Sequence, residues 1–518
     1  MRAQRAGIGC LIVVGVSSAF VGGCESRSQY AREVKTSRAT AYREWENRKD
    51  REDEQQPKIS GKLTLGDSIK LTLGHNKMLE RTIQEREVAR GQVLSARSAY
   101  LPNVGVTGRY ARDQEVPSFD IPTGDPNFPT QHVQIGTVNN YSAVLTVTQP
   151  IYAGGAIRAQ VQDANLLAQL ADETIRATTQ DVVYTAETAY YNLLLDQHLV
   201  DISTEAVRAA KAHLDNVEKR RAAGVASDFD VLRAQVELSN FEADLIKSKN
   251  AIIVARANLI KTMGVSQDSD FTLSDEFVYE TWDISIEQAV QAAFTNRPDL
   301  YSREYQIRQQ REQLTIARSK YLPNVSGFFT NTWSNPSPTS FGSSTNDWGE
   351  IWQAGFQGAW PIFDGFQREG AIAQQKARLR QAQINLVDTE ETALYELTQA
   401  LLSMQNAEEF VQSQRMNLKR GTEGLRLADV GYQQGINTQV EVIDAQSALT
   451  QARVNYYQAI YSHVAAKLAL RRAMGTIIAA AEPGTDQAAD GQGQPQAQPQ
   501  AQPQTQPQTG ATDGVTQP

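Results

Sequence analysis

A nine-residue stretch occurs twice in the chain, and it limits the possible folds more than any other feature. Residues 96–104 read ARSAYLPNV and residues 317–325 read ARSKYLPNV. Each copy ends a charged, helix-like segment and runs into alternating apolar and polar residues. Pro102 and Pro323 cannot continue a helix, and they bias Leu101 and Leu322 toward extended backbone. The hydrophobic period therefore changes from 3.6 to 2 at both sites. One chain makes the same helix-to-strand switch twice.

The duplication extends well beyond this motif. Pro150-Ile151-Tyr152-Ala153-Gly154 matches Pro361-Ile362-Phe363-Asp364-Gly365. Gly224 and Gly264 match Gly435 and Gly475 at the same offset, 211 residues, whereas the two YLPNV copies lie 221 apart. The difference falls inside a hairpin, where loops tolerate changes of length. In the first hairpin Val104, Val106, Gly108 and Tyr110 share one face, followed by Tyr141, Ala143, Leu145 and Val147, and the pattern stops at Gln149-Pro150. Pro117, Pro122, Gly124, Pro126 and Pro129 predict that residues 113–134 form a long loop between the strands. The second hairpin groups Val325, Gly327, Phe329 and Trp333 with Trp352, Ala354, Phe356 and Trp360.

Long helices follow each hairpin. No Pro or Gly occurs from Ala156 to Ala223, and small or apolar residues recur at 164, 168, 171, 175, 178, 182, 186, 189 and 193. Alternating steps of four and three make a coiled-coil seam, and a helix of that span is about 100 Å long. Gly224 breaks it, Ser227 or Asp228 can cap a return helix to about Met263, and Gly264 ends that helix. Shorter helices precede the hairpins. One is capped by Asp67 and interrupted at Gly74-His75-Asn76, and its counterpart opens at Ser285 and is interrupted at Asn296-Arg297-Pro298.

The N-terminus reads as a secretory signal, with Arg2 and Arg5 before a mostly apolar run from Ile8 to Val21. Its end, Val21-Gly22-Gly23-Cys24, resembles a bacterial lipobox, in which the cysteine is cleaved at and acylated, with palmitate among the acyl groups. The alternative is an ordinary signal peptide with an incidental Cys24. Glu25 is not the Asp that retains such lipoproteins in the inner membrane, so the resemblance favours the outer membrane. The expected organisation is a signal peptide at 1–23, a charged solvated tether or strap at 24–58, a first repeat at 59–264, a connector at 265–284, a second repeat at 285–478, and a Gln/Pro-rich disordered tail at 479–518. A net charge of −9 argues against a nucleic-acid partner. The five histidines form no HExxH, and there is no GxSxG elbow or Walker-type loop, so no catalytic, metal or cofactor site is expected.

Four strands with one apolar face cannot close a barrel in lipid, where open edges leave backbone groups unsatisfied. Three identical chains supply twelve strands, within the range of outer-membrane barrels. The fold class is thus α+β: long helices plus four strands contributed to a shared barrel, with an internal two-fold repeat; the alternative for the strands is a soluble β-sandwich edge that packs its aromatics inward. At this point residues 60–478 resemble the TolC-like outer membrane factors of bacterial efflux and secretion systems, and the lipobox resembles their lipidated branch. The resemblance rests on the doubled YLPNV, the doubled Pro-Ile-aromatic-x-Gly, and the hairpin tips AGVASDFDVLRAQ (223–235) and QGINTQVEVIDAQSAL (434–449).

That resemblance implies a homotrimer in the outer membrane with a twelve-stranded barrel and a periplasmic helical tunnel. It implies an exit duct that works with a periplasmic adaptor (membrane fusion protein) and an inner-membrane transporter. Gly224 and Gly435 match the tips that meet the adaptor, or are plain helix-breaking turns. Glu441 and Asp444, with Asp230 as the first-repeat counterpart of Glu441, match acidic positions that narrow the periplasmic entrance, or lie on a solvated helix face. Pro102, Pro150, Pro323 and Pro361 mark the switches between tunnel and barrel. A lipid-anchored coiled-coil scaffold or adhesin without a pore is the competing reading. The cargo is not written in the chain, since specificity in such systems lies with the transporter.

Overall fold

The computed structural model describes residues 27–55, 57–116, 118–134, 137–338 and 347–478. Cys24, the signal segment and the 479–518 tail lie outside the described residues. The expected tether is a helix, α1 (Arg27–Gln55), whose side chains from Tyr30 to Glu46 are exposed apart from half-buried Ala41. No Pro or Gly interrupts this stretch.

The two repeats fold alike. The first runs β1 (Ser60–Leu63), α2 (Leu65–His75), α3 (Lys77–Ser98), β2 (Asn103–Arg112), β3 (Ser118–Asp125), β4 (Phe128–Gln134), β5 (Asn139–Ala153), α4 (Ala156–Ala222) and α5 (Asp228–Met263). The second runs β6 (Asp270–Leu273), α6 (Ile286–Asn296), α7 (Pro298–Ser319), β7 (Asn324–Asn335), β8 (Gly349–Ala359), α8 (Gln367–Gln433) and α9 (Gln439–Ala473). Thr64, not Asp67, caps α2. The Thr64 hydroxyl oxygen accepts the Asp67 N–H at 3.1 Å, and the same hydroxyl donates to the carboxylate of Asp67, the third helical residue, at 2.7 Å. Asn76 caps α3 by accepting from Met78 and Leu79.

Both long helices have 67 residues. None of the nine seam positions on α4 is exposed, and Ala164, Thr178, Val182, Ala186, Ala189 and Leu193 are fully buried. The seam lets α4 pack on α5 within its own repeat, and on α7 and α9 of the other repeat. By contrast, α8 packs on α9 and α7 but has no comparable packing on α3 or α5. Two parallel strands, β1 and β6, clip the repeats together in register from Ser60↔Asp270 to Leu63↔Leu273. Below them Leu63, Tyr190, Leu193, Leu259, Met263 and Phe271 form the largest core. The Tyr190 hydroxyl, 2.7 Å from the Asp275 carboxylate, ties the connector to α4.

Arg297 links the second repeat to itself. Its guanidinium donates to both Asp299 oxygens (3.1 and 2.7 Å), to Glu396 (2.7 Å) and to the Ala473 carbonyl (3.3 Å). Burial alone raises the Asp299 pKa, but the bonds from Arg297 prevail and hold it below the usual carboxylate range. Arg297→Ala is expected to cost about 2 kcal/mol, less than a fully buried pair because both carboxylates stay partly solvated. Denaturant titration of the wild type and the variant measures this, and a loss under 0.5 kcal/mol, the usual scatter for surface changes, contradicts it.

The remaining strands form one antiparallel sheet in the order β2-β5-β7-β8. Its register makes one face mainly apolar and the other mainly polar, with Asn331 and Glu350 as polar exceptions on the first and Val144, Phe328 and Ile351 as apolar exceptions on the second. Val104↔Val147, Val106↔Leu145 and Tyr110↔Tyr141 lie on one face, with Val147↔Phe329, Ala143↔Trp333 and Phe329↔Ala354 beyond them. Thr107, Arg109, Ser142, Thr146, Thr148, Thr330, Thr332, Gln353 and Gln357 fall on the other. Two sequence expectations need correction. The loop expected at 113–134 contains a two-stranded hairpin, β3–β4, paired from Ser118↔Gln134 to Asp125↔Phe128. Proline is tolerated here because an isolated pair has two outer edges where no donor is needed. And β5 does not end at Gln149-Pro150. It continues to Ala153, with a bulge between Pro150 and Tyr152, because β7 supplies a partner that far.

Candidate functional site: an open-edged sheet and two helical tips

The described structure presents two functional regions at opposite ends of α4 and α8. At the sheet end, the chain leaves α3 and α7 through short turns. Pro102 and Pro323 occupy the residue before β2 and β7, after Leu101 N–H and Leu322 N–H bond back to Ser98 and Ser319 carbonyls at 2.9 Å. Pro150 sits at the β5 bulge, whereas Pro361 lies just past the end of β8. Gly154 needs both its left-handed φ of 60° and its lack of a side chain, because a Cβ there would stand 2.6 Å from the Ser319 carbonyl oxygen. Arg368 holds the turn after β8. It is ion-paired to Asp364 at 2.8 Å, donates to the Pro361 and Ile362 carbonyls, and stacks 4.6 Å over the Tyr321 ring. Aromatic rings gather at both margins of the apolar face. Tyr110, Tyr141 and Trp348 are in contact at one margin (5.0 and 6.4 Å), and Trp360 donates to the Tyr321 carbonyl at the other.

At the far end, the two helical hairpins close with the same backbone design. Gly224 and Gly435 adopt φ of 77° and 76°. Val225 N–H bonds to the Arg220 carbonyl and Gly224 N–H to Arg221, and Ile436 and Gly435 repeat this on Gly431 and Tyr432. This is a Schellman closure, which needs the left-handed residue that glycine supplies. The return helices then start with reciprocal caps. Ser227 bonds the Asp230 N–H while the Asp230 carboxylate accepts the Ser227 N–H at 2.9 Å, and Thr438 and Glu441 do the same at 2.7 Å on the carboxylate side. Asp230 and Glu441 therefore hold helix starts. The bonds from Ser227 also keep the Asp230 pKa below the usual carboxylate range, opposite to what crowding in a ring would do. Asp444 is exposed one turn after Glu441.

The structure brings the two tips together through residues that the sequence reading does not single out. Gln439, buried at 6 % exposure, donates to the Asp230 carbonyl at 2.9 Å. The Arg220 guanidinium lies 4.3 Å over the Tyr432 ring, and His213 approaches the same ring at 5.9 Å. Burial lowers the His213 pKa, against the nearby Asp429 carboxylate. Among the described residues no cluster of three or more His, Cys, Asp or Glu is placed to hold a metal ion. Among them, too, no helix is long and apolar enough to cross a membrane.

A sided four-stranded sheet with two open edges among the described residues is joined to two helices of about 100 Å. The sequence family described as "Outer membrane efflux protein" matches residues 68–265 and 289–476, one match per repeat, and the chain belongs to that family. It is similar to "Toluene efflux pump outer membrane protein TtgC" of Pseudomonas putida, 24 % identical over 420 residues that cover 79 % of this chain and 82 % of the relative. It is also similar to "Cobalt-zinc-cadmium resistance protein CzcC" of Cupriavidus metallidurans, 21 % identical with 80 % and 91 % covered. Among solved structures, "Structural insights of the outer-membrane channel OprN" superposes with a TM-score of 0.67 at 19 % identity, over 80 % of this chain and 90 % of that one. The fold is thus that of the outer-membrane efflux channels, and the chain is an outer-membrane exit duct subunit. Its relatives are channel proteins rather than enzymes.

Proposed function

We propose that three copies of the chain close into one duct, which passes small molecules outward across the outer membrane as the exit of a tripartite efflux or secretion system. The observation that carries this is the sheet. Among the described residues it has a mainly apolar face, a mainly polar face and two unpaired edges, and closure with identical chains satisfies both edges in lipid. The apolar face with its aromatic margins then meets lipid, and the threonine- and glutamine-rich face lines the lumen. Cys24 carries the lipid anchor at the membrane. Gly224 and Gly435 present bare turns to a periplasmic adaptor, which couples the duct to an inner-membrane transporter that supplies the energy.

Trimer symmetry sets Glu441 and Asp444, and Asp230 beside them, as rings of carboxylates around the entrance. Such rings attract cations. In planar bilayers the purified protein is expected to form cation-preferring channels, and Glu441→Ala with Asp444→Ala is expected to raise conductance and weaken block by divalent cations. Unchanged block and conductance remove these residues from the entrance. No channel from the assembled wild type favours the pore-free scaffold.

A further inference from the structure

The connector between the repeats crosses the long helices without help from its own backbone. Ser274 N–H bonds to the Leu63 carbonyl, but among the described residues no backbone–backbone hydrogen bond involves 275–284. Its side chains nevertheless continue the alternation of β6. Phe271, Leu273, Asp275, Phe277 and Tyr279 are buried or half-buried, whereas Thr272, Ser274, Glu276, Val278 and Glu280 are exposed. The inner face alone therefore holds the connector down. Asp275 pins one end, accepting from the Tyr190 hydroxyl at 2.7 Å and the Leu65 N–H at 2.8 Å. Trp282 pins the other, with the cationic groups of Lys467 and Arg471 at 5.9 and 5.6 Å from its ring.

Two histidines from different repeats lie between these pins. Phe277 sits 5.6 Å from the ring of His198 on α4, which stacks at 4.3 Å on Tyr457 of α9. Tyr279 sits 5.0 Å from the ring of His463 on α9, which is 1 % exposed. Neither nitrogen of His463 has a hydrogen-bond partner among the described residues, and neither has Nε2 of His198. We propose that the connector is an acid-released latch: charging His198 and His463 beneath Phe277 and Tyr279 lifts it off α4, α8 and α9 while the rest of the fold stays closed.

A histidine held in this way fits in its neutral form. Charging adds a second N–H donor and a net charge where no acceptor is in place. The groups around each ring do not reverse this. His198 faces Asp201 on its own helix, Glu276 of the connector, and Tyr457, itself near Arg453, on α9. His463 faces Lys467 on its own helix, Tyr279 of the connector and Glu408 of α8. Burial outweighs the carboxylates and lowers both pKa values, and Lys467 adds to the lowering at His463. Glu408 is also engaged, since it accepts from the Tyr279 hydroxyl at 3.5 Å while Gln412 donates to that hydroxyl at 3.3 Å. Lifting the connector hydrates both rings and lets them charge. Their hold on the connector is thus complete above pH 6.5 and is given up as pH falls through the lowered values. Glu187, whose charge acts on Tyr191 beside Phe277, gains its proton over the same range and works against release. A segment fastened by a few side chains and no backbone ladder is the kind that opens locally before the fold does. The latch works within one chain and needs no trimer.

Cysteine labelling of the full chain in membranes tests this. Val411, 1 % exposed, lies in the apolar cluster that Phe277 and Tyr279 cover, and Val411→Cys reports from beneath the connector. Val278→Cys, on its outer face at 64 % exposure, corrects for the pH dependence of the thiol reaction itself. Val183→Cys, in the separate core with Ile69 and Ile477, reports opening of the fold as a whole. From roughly pH 7.5 to 5, either side of the histidine range, the labelling rate of Val411→Cys relative to Val278→Cys is expected to rise about tenfold, the effect of one pKa unit. The Val183→Cys ratio is expected to stay flat. With His198→Gln and His463→Gln together, the rise is expected to shrink below about twofold. A flat Val411→Cys ratio in the otherwise wild-type chain overturns the latch. A parallel rise at Val183→Cys overturns it too, since the whole fold then opens, and so does a full rise in the double variant. If the double variant is already labelled at neutral pH, the single variants decide. Each is expected to leave a rise of about threefold, and an undiminished rise in both overturns the latch.

Discussion

Gly264→Ala is expected to cost about 4 kcal/mol of stability. Two terms combine. Gly264 ends α5 with φ of 70°, a backbone region that costs a side-chain-bearing residue about 1–2 kcal/mol. An added Cβ would also stand 2.1 Å from the His75 carbonyl oxygen and 2.7 Å from its carbon. Those atoms are backbone at the junction of α2 and α3, so no rotamer change relieves the contact, and overpacking of that kind adds about 1–3 kcal/mol. The junction is fixed from the other side too, because the Asn76 side chain donates to the Thr262 carbonyl at 2.8 Å. Gly224→Ala is the control. It shares the left-handed φ but has nothing within 4 Å of an added Cβ, so it should lose only the conformational part, about 1–2 kcal/mol. Denaturant midpoints for the two variants separate the terms, and equal losses would show that the α5 end is not pinned to the α2–α3 junction.

The sequence makes the Gly264 position visible, though not its neighbour. Glycines at 154, 224 and 264 return at 365, 435 and 475, and all six have positive φ. Repetition with a fixed offset reports backbone demands directly, because glycine is the residue that meets them without strain. The same logic makes the long helices and the sided strands legible, since each carries its period over many residues. Contacts between repeats leave no such trace. Gln439 and Asp230 are 209 residues apart, and nothing in either local pattern points to the other. β1 and β6 have four residues each, too few for alternation to register. Over residues 113–134 a real local signal, four prolines, outweighs the weaker alternation of Phe119 and Ile121. The acidic reading of Asp230 and Glu441 leaves out a role that their context also carries. Ser-x-x-Asp at 227–230 and Thr-x-x-Glu at 438–441 are capping boxes in plain sequence, and a carboxylate engaged in one is less free to project into a lumen. Asp444 has no such pattern around it, so it is the better candidate for a ring charge.

Glu187→Gln is expected to stabilise the protein above neutral pH by about 3 kcal/mol and to leave it unchanged near pH 4.5. Glu187 lies on the wide buried side of α4 at 3 % exposure, and its Oε2 has no hydrogen-bond partner among the described residues. Burial pushes its carboxyl up from 4.5 to about 7, against the attraction of Arg471. A raised carboxyl pKa means that the folded state holds a proton the unfolded chain has already released. Its contribution is therefore complete below pH 4.5, falls away as pH rises through 7, and above that the buried charge costs about 3 kcal/mol. A neutral amide of the same size removes that slope. The buried histidines act at the other end. Burial lowers the pKa values of His198, His213 and His463 from 6.5, so the stability tied to their neutral rings is present above 6.5 and is lost as pH falls through their lower folded values. The histidines thus favour higher pH and Glu187 lower pH, and the substitution should shift the stability maximum to higher pH. Denaturant titrations at about pH 4.5, 6.5 and 8.5 distinguish this from a packing effect. A gain of the same size at all three values would mean that shape, not ionisation, makes Glu187 costly.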